Sequence, residues 1–114
     1  MPARDATKRW HDILDNIARI RRHIAGLDQS AFLRDQKTQD AVERCLERIC
    51  EAARKLGDGY DAVYPDVEFQ NLRQLGSVLR HDYEDVRADL IWAAIIKRLP
   101  RLEAACRAEL AKSP

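Results

Sequence analysis

The stretch Trp10-His11-Asp12-Ile13-Leu14-Asp15-Asn16-Ile17-Ala18-Arg19-Ile20-Arg21-Arg22-His23-Ile24-Ala25-Gly26-Leu27 decides the fold class. Trp10, Ile13, Leu14, Ile17, Ile20, Ile24 and Leu27 recur at steps of three and four with Arg and Asp between them. That spacing predicts a helix with one buried and one solvated face. Gly26 and Asp28 mark its end. A second stripe, Val42, Cys45, Leu46, Ile49, Cys50, Ala53 and Leu56, follows Thr38, a residue able to cap it, and closes at Gly57 and Gly59. Phe32 lies in the polar connection between the two. Pro65-Asp66-Val67-Glu68 suits the first turn of a third helix that carries Phe69, Leu72, Leu75 and Leu79 inward. From about Asp85 a fourth pattern runs through Val86, Leu90, Ile91, Ala94, Ile95, Leu99, Leu102, Cys106 and Leu110. It crosses Pro100, whose ring and missing N–H predict a kink or a split.

No strand-like alternation competes with these stripes, and the connections are short enough for antiparallel neighbours. The expectation is an all-α, up-and-down bundle of four to five helices forming one domain over residues 1–114. A chain of this size buries about two-thirds of the surface its unfolded form exposes. Lys+Arg 20 against Asp+Glu 19 leaves a formal charge of +1, so no global field draws nucleic acid or membrane, and any RNA contact must come from a local patch. The charged N-terminus has no apolar signal core, and no run of about eighteen apolar residues occurs. A soluble, cytoplasmic protein without a membrane partner is expected. Cys45, Cys50 and Cys106 form an odd set without CxxC spacing, each on a helical stretch. Buried free thiols are favoured over a metal site or a disulfide.

Chemistry-bearing residue types concentrate in Arg73-Gln74-Leu75-Gly76-Ser77 and Leu79-Arg80-His81-Asp82-Tyr83. Metal-independent RNA cleavage needs a group that takes the 2′-hydroxyl proton or protonates the leaving oxygen, and positive charge to stabilise the phosphorane. His81 with Arg80 and Arg73 supplies both. Arg73, Gly76 and Arg80 share one helix face, and His81 is rotated about 100° from Arg80. Gly76 in a helix interior costs about 1 kcal/mol against alanine and needs a packing or access reason, which a close approach of another backbone or a ligand would supply. Taken by themselves, Arg80 and His81 read first as a solvated basic helix end that complements the helix dipole. Tyr83 is a half-buried aromatic or a modifiable phenol, and Asp82 an ion-pair partner or a carboxylate that orients His81.

Elsewhere the signals are weaker. His11 and His23 lack any metal-ligand spacing and read as surface histidines, and Arg19-Ile20-Arg21-Arg22-His23 reads as a solvated face with a possible phosphate role. The absence of GxGxxG, Walker A and GxSxG sequences removes nucleotide-dependent oxidoreductases, P-loop ATPases and α/β hydrolases. No cofactor or metal is expected.

Thr38-Gln39-Asp40-Ala41-Val42-Glu43-Arg44-Cys45-Leu46-Glu47-Arg48-Ile49-Cys50-Glu51-Ala52-Ala53, Tyr64-Pro65-Asp66-Val67, Leu79-Arg80-His81-Asp82-Tyr83, Leu90-Ile91-Trp92 and Leu99-Pro100-Arg101-Leu102 together resemble the HepT-like branch of the HEPN superfamily. The resemblance spans nearly the whole chain in the family's order. It implies a homodimeric helical bundle in which the Arg/His motifs of two protomers face one another across a cleft, so that two copies of His81 serve as base and acid. It further implies a metal-independent endoribonuclease acting on RNA, the toxin half of a toxin–antitoxin pair. The implied partner is an MNT-type nucleotidyltransferase that transfers AMP to Tyr83. The chain departs from the family pattern at Gly76 and Ser77, where arginine followed by asparagine is usual. Arg73 lies one residue too far upstream and Arg80 is adjacent to His81, so one of them must substitute for the missing arginine, or activity is weakened or lost. A catalytically silent HEPN module that binds and regulates a nucleotidyltransferase is the rival reading.

Overall fold

In the computed structural model, which describes residues 2–81 and 87–112, with side chains from 5 to 80 and 87 to 112, the Trp10 stripe becomes α1 (Pro2–Ile24). Its buried edge, Trp10, Ile13, Ile17 and Ile20, packs most extensively on α3 (Gln36–Leu56), which contributes Val42, Cys45, Leu46, Ile49, Cys50 and Ala53. Periodicity placed these core residues correctly because each stripe had five or six turns over which to repeat.

Between them lies a short helix, α2 (Gln29–Leu33), where the sequence suggested only a connection. Its five residues are too few to show a period, yet Phe32 is fully buried, with its ring 5.2 Å from that of Trp92. The cap of α3 is also one turn-register earlier than expected. Asp35, not Thr38, is the N-cap: its carboxylate accepts from the Thr38 amide at 3.0 Å and from the Thr38 hydroxyl at 2.7 Å. These bonds hold the Asp35 carboxyl below its ordinary range. Gly57, at φ 80°, closes the helix as expected.

Pro65–Val67 forms a separate 3₁₀ turn rather than the first turn of the third long helix. Glu68, left-handed at φ 57°, breaks the path, and α4 (Phe69–His81) begins after it with Phe69, Leu72 and Leu79 buried. The fourth pattern divides into α5 (Ala88–Lys97) and α6 (Leu99–Ala111). Pro100 falls in the first turn of α6, where a missing N–H leaves no bond unmade. Among the described residues the chain is thus an all-α bundle of six helices, two more than the four stripes because one is too short to have a period and one is split by proline. No strand occurs among the described residues.

Three further ties set the frame. Trp10 meets Tyr60 edge-on at 4.9 Å, Arg21 pairs with Glu103 at 2.7 Å to join α1 to α6, and the Tyr64 hydroxyl donates to Glu109. Leu90, expected inward, is instead 60% exposed, and Ile96 and Val78 are 53% and 41% exposed. None of the described helices is long and apolar enough to cross a membrane.

Candidate functional site

The helix α4 carries every arginine of the sequence motif, and packing on both sides of it decides where each points. Arg73 faces the connection after α3. Its Nη1 and Nη2 donate to the two Asp61 carboxylate oxygens at 3.1 and 2.7 Å, and Nη1 also reaches the Gly57 carbonyl at 3.4 Å. The bidentate bond holds the Asp61 carboxyl below the usual range and raises the Arg73 guanidinium, so both are charged near neutrality.

One turn on, Gly76 is buried against α3. A β-carbon at this position would lie 2.6 Å from Cys50 Cβ. The helix-interior glycine therefore serves the close approach of α4 to α3 within one chain. Arg80, a further turn along, opens to solvent with Nη1 3.8 Å from Glu51 Oε1, while Glu51 is held more closely by Arg54 at 2.6 Å. Ser77 is exposed. The backbone of His81 closes α4. Its side chain lies outside the described residues, as do Asp82 and Tyr83.

The structure does not bring the two motif arginines together. Arg73 is a clamp on the 57–61 connection, whereas Arg80 lines a groove of about 410 Å³ between α1, α3 and α4. Arg9, Asp12 and Asn16 of α1, and Arg44, Glu47, Arg48, Glu51 and Lys55 of α3, complete that groove. None of these was singled out from sequence. The signal was present, since Arg44, Arg48 and Lys55 fall at helical steps along one edge of α3. It was hidden because their carboxylate neighbours made the stretch look like an ordinary charged face. The Arg19–His23 cluster, by contrast, remains a solvated face: Arg19, Arg22 and His23 are exposed and Arg21 is occupied by Glu103.

A second groove of about 420 Å³ runs on the other side of α4, with Leu75 and Val78 meeting Leu90, Ala93 and Ala94 of α5. The three cysteines are buried free thiols. Burial pushes Cys50 and Cys106 up to about 12, which leaves them unreactive near neutrality. Among the described residues no cluster of His, Cys, Asp and Glu could hold a metal ion.

The described residues form an all-helical bundle in which Arg80 and His81 follow one another in sequence at the end of α4. The family model described as "Ribonuclease HepT-like" matches residues 13–109, and the chain belongs to that family. It is 34% identical to "Putative RNase MJ0127" of Methanocaldococcus jannaschii over 88% of this chain and 83% of that protein. It is 28% identical to "Probable ribonuclease HepT" of Thermococcus cleftensis over 81% of this chain and 84% of the other. No solved structure matches the chain significantly.

Proposed function

We propose that this protein is a metal-independent endoribonuclease that works as a homodimer and forms the toxin half of a toxin–antitoxin pair. The observation that carries the proposal is the HepT-like match across residues 13–109. In this mechanism His81 of one protomer takes the proton from a ribose 2′-hydroxyl. The freed oxygen attacks the neighbouring phosphorus, and the second copy's imidazole, protonated, gives its proton to the departing 5′-oxygen. The products are a 2′,3′-cyclic phosphate and a 5′-hydroxyl end.

Arg80, adjacent to His81 and only loosely paired with Glu51 at 3.8 Å, donates to the crowded phosphorane. Arg73, engaged by Asp61, contributes by fixing α4 rather than by touching the phosphate. An MNT-type nucleotidyltransferase silences the enzyme by placing AMP on Tyr83, next but one to the histidine. Asp82, between the two, orients the imidazole.

Chelator-treated protein is expected to cut single-stranded RNA, and His81→Ala to slow cutting by at least about 100-fold with helicity unchanged. Equal rates for the two proteins would overturn the assignment. Co-expression with the nucleotidyltransferase is expected to relieve growth arrest and to add AMP to wild type but not to Tyr83→Phe.

One observation favours a second reading. The position where the family carries its arginine is here Gly76, packed against Cys50. A silent module that binds and regulates a nucleotidyltransferase would form the same complex without arresting growth when expressed by itself.

A further inference from the structure

Asn16 retains 8% of its surface exposure. Its Nδ2 donates to the Asp12 carbonyl one turn back at 2.9 Å, which fixes the way the amide faces, and its Oδ1 is buried with no hydrogen-bond partner. Such orphaned acceptors are rare because they forfeit their hydration without recompense. Asn16 is one of the residues that line the α1–α3–α4 groove.

The same groove has an excess of positive charge. Five cations line it, Arg9, Arg44, Arg48, Lys55 and Arg80, against three carboxylates, Asp12, Glu47 and Glu51. Two of those carboxylates are held more closely from outside the lining than from within it, Asp12 by Lys8 at 3.0 Å against 3.4 Å to Arg9, and Glu51 by Arg54 at 2.6 Å against 3.8 Å to Arg80. Arg44 is 3.8 Å from Glu47, and neither Arg48 nor Lys55 has an ion-pair partner among the described residues. From Arg44 to Lys55 the basic edge of α3 is about 16 Å long at the helical rise, a length suited to an extended strand rather than a single ion.

We propose that this groove is a subsite for single-stranded RNA flanking the scissile position, an inference that rests on the ribonuclease assignment. Arg48, Lys55 and Arg80 hold backbone phosphates. Asn16 Oδ1 accepts from a base amine or a ribose hydroxyl once the groove opens to it. A nucleotide suits the groove because it presents anionic oxygens and N–H or O–H donors within one unit, whereas an acidic side chain presents acceptors only. Continuity favours it too, since Arg80, the residue before His81 in the chain, lines the groove.

Anisotropy of a labelled single-stranded RNA, measured in a His81→Ala background so that it stays intact, tests the subsite. The double variant Arg48→Ala/Lys55→Ala alters two exposed side chains and folds normally. It is expected to raise Kd at least about tenfold and to lower the salt slope of log K by about 1.4, the loss of two phosphate contacts. Asn16→Leu is expected to weaken binding about fivefold without lowering the melting temperature, a result that a purely structural asparagine would not give. Affinity and slope within about twofold of the parent in both variants would overturn the subsite, as would an acidic peptide binding as tightly as RNA and losing affinity in the same variants. Cleavage by the His81-bearing protein is read separately. Cutting with unaffected binding removes the groove and leaves the ribonuclease, whereas groove-dependent binding by a protein that never cuts does the reverse.

Discussion

At Gly76 the spacing of two helices is set by an atom that is missing. Both the β-carbon that alanine would add and the Cys50 β-carbon it would meet at 2.6 Å are bound directly to backbone, so neither can rotate away. Alanine gains about 1 kcal/mol in helix propensity, but separating α3 from α4 costs more, as overpacked cores do. Gly76→Ala is expected to lose about 1–2 kcal/mol in urea unfolding, with no recovery in Gly76→Ala/Cys50→Ala, which keeps the offending carbon. Recovery in the double variant would show that the sulfur, not the carbon, was in the way. Restoring the family's usual arginine at 76 meets the same obstacle. That a helix-interior glycine needs a neighbour was legible in sequence. Which atom stands opposite depends on how two helices far apart in the chain are brought together.

The helices owe their positions to links that act between elements. Arg73 fastens the second turn of α4 to Asp61, while the same helix is buried through Phe69, Leu72 and Leu79. Because Asp61 is held below its unfolded pKa, the bond stabilises the fold fully above about pH 4, where the unfolded carboxyl is ionised. That stabilisation is lost as pH falls through the lower folded value. Asp61→Asn is therefore expected to have a lower urea midpoint than wild type at pH 7, with the gap closing in acid. A gap of constant size between pH 7 and pH 3 would remove the ion pair as its cause. The proline break between α5 and α6 and the glycine stop of α3 were legible because backbone chemistry acts locally. The Asp35 cap and the Arg73–Asp61 bond were not, since several carboxylates stood near enough in sequence to serve.

On the scale of the whole molecule, one face is unfinished. Val78 and Leu90 line the α4–α5 groove beside the end of the helix that carries His81, and Leu90 keeps 60% of its exposure. Large aliphatic side chains gathered at one surface mark places where another protein binds. In the proposed homodimer that face joins the two copies, so Leu90→Glu is expected to give a monomer by light scattering, with helicity intact and RNA cleavage lost. A dimer that survives the substitution would move the interface elsewhere. Leu90 was read as inward from its place in the fourth stripe. Its exposure arises because α5 is short and largely apolar all round, so periodicity by itself does not say which edge meets the core.

The sequence by itself determined that the chain is helical, which residues of the long helices are buried, where proline and glycine end them, and that His81 lies at a helix end beside Arg80. Those features follow from spacing and backbone chemistry over a few residues. Only the tertiary structure decided that Arg73 is spent on Asp61, that Gly76 admits α3, and that Arg80 shares a groove with Arg48, Lys55 and Asn16. Each of these joins residues from different helices, and the distance between helices is a property of their packed side chains that no single stretch of sequence contains.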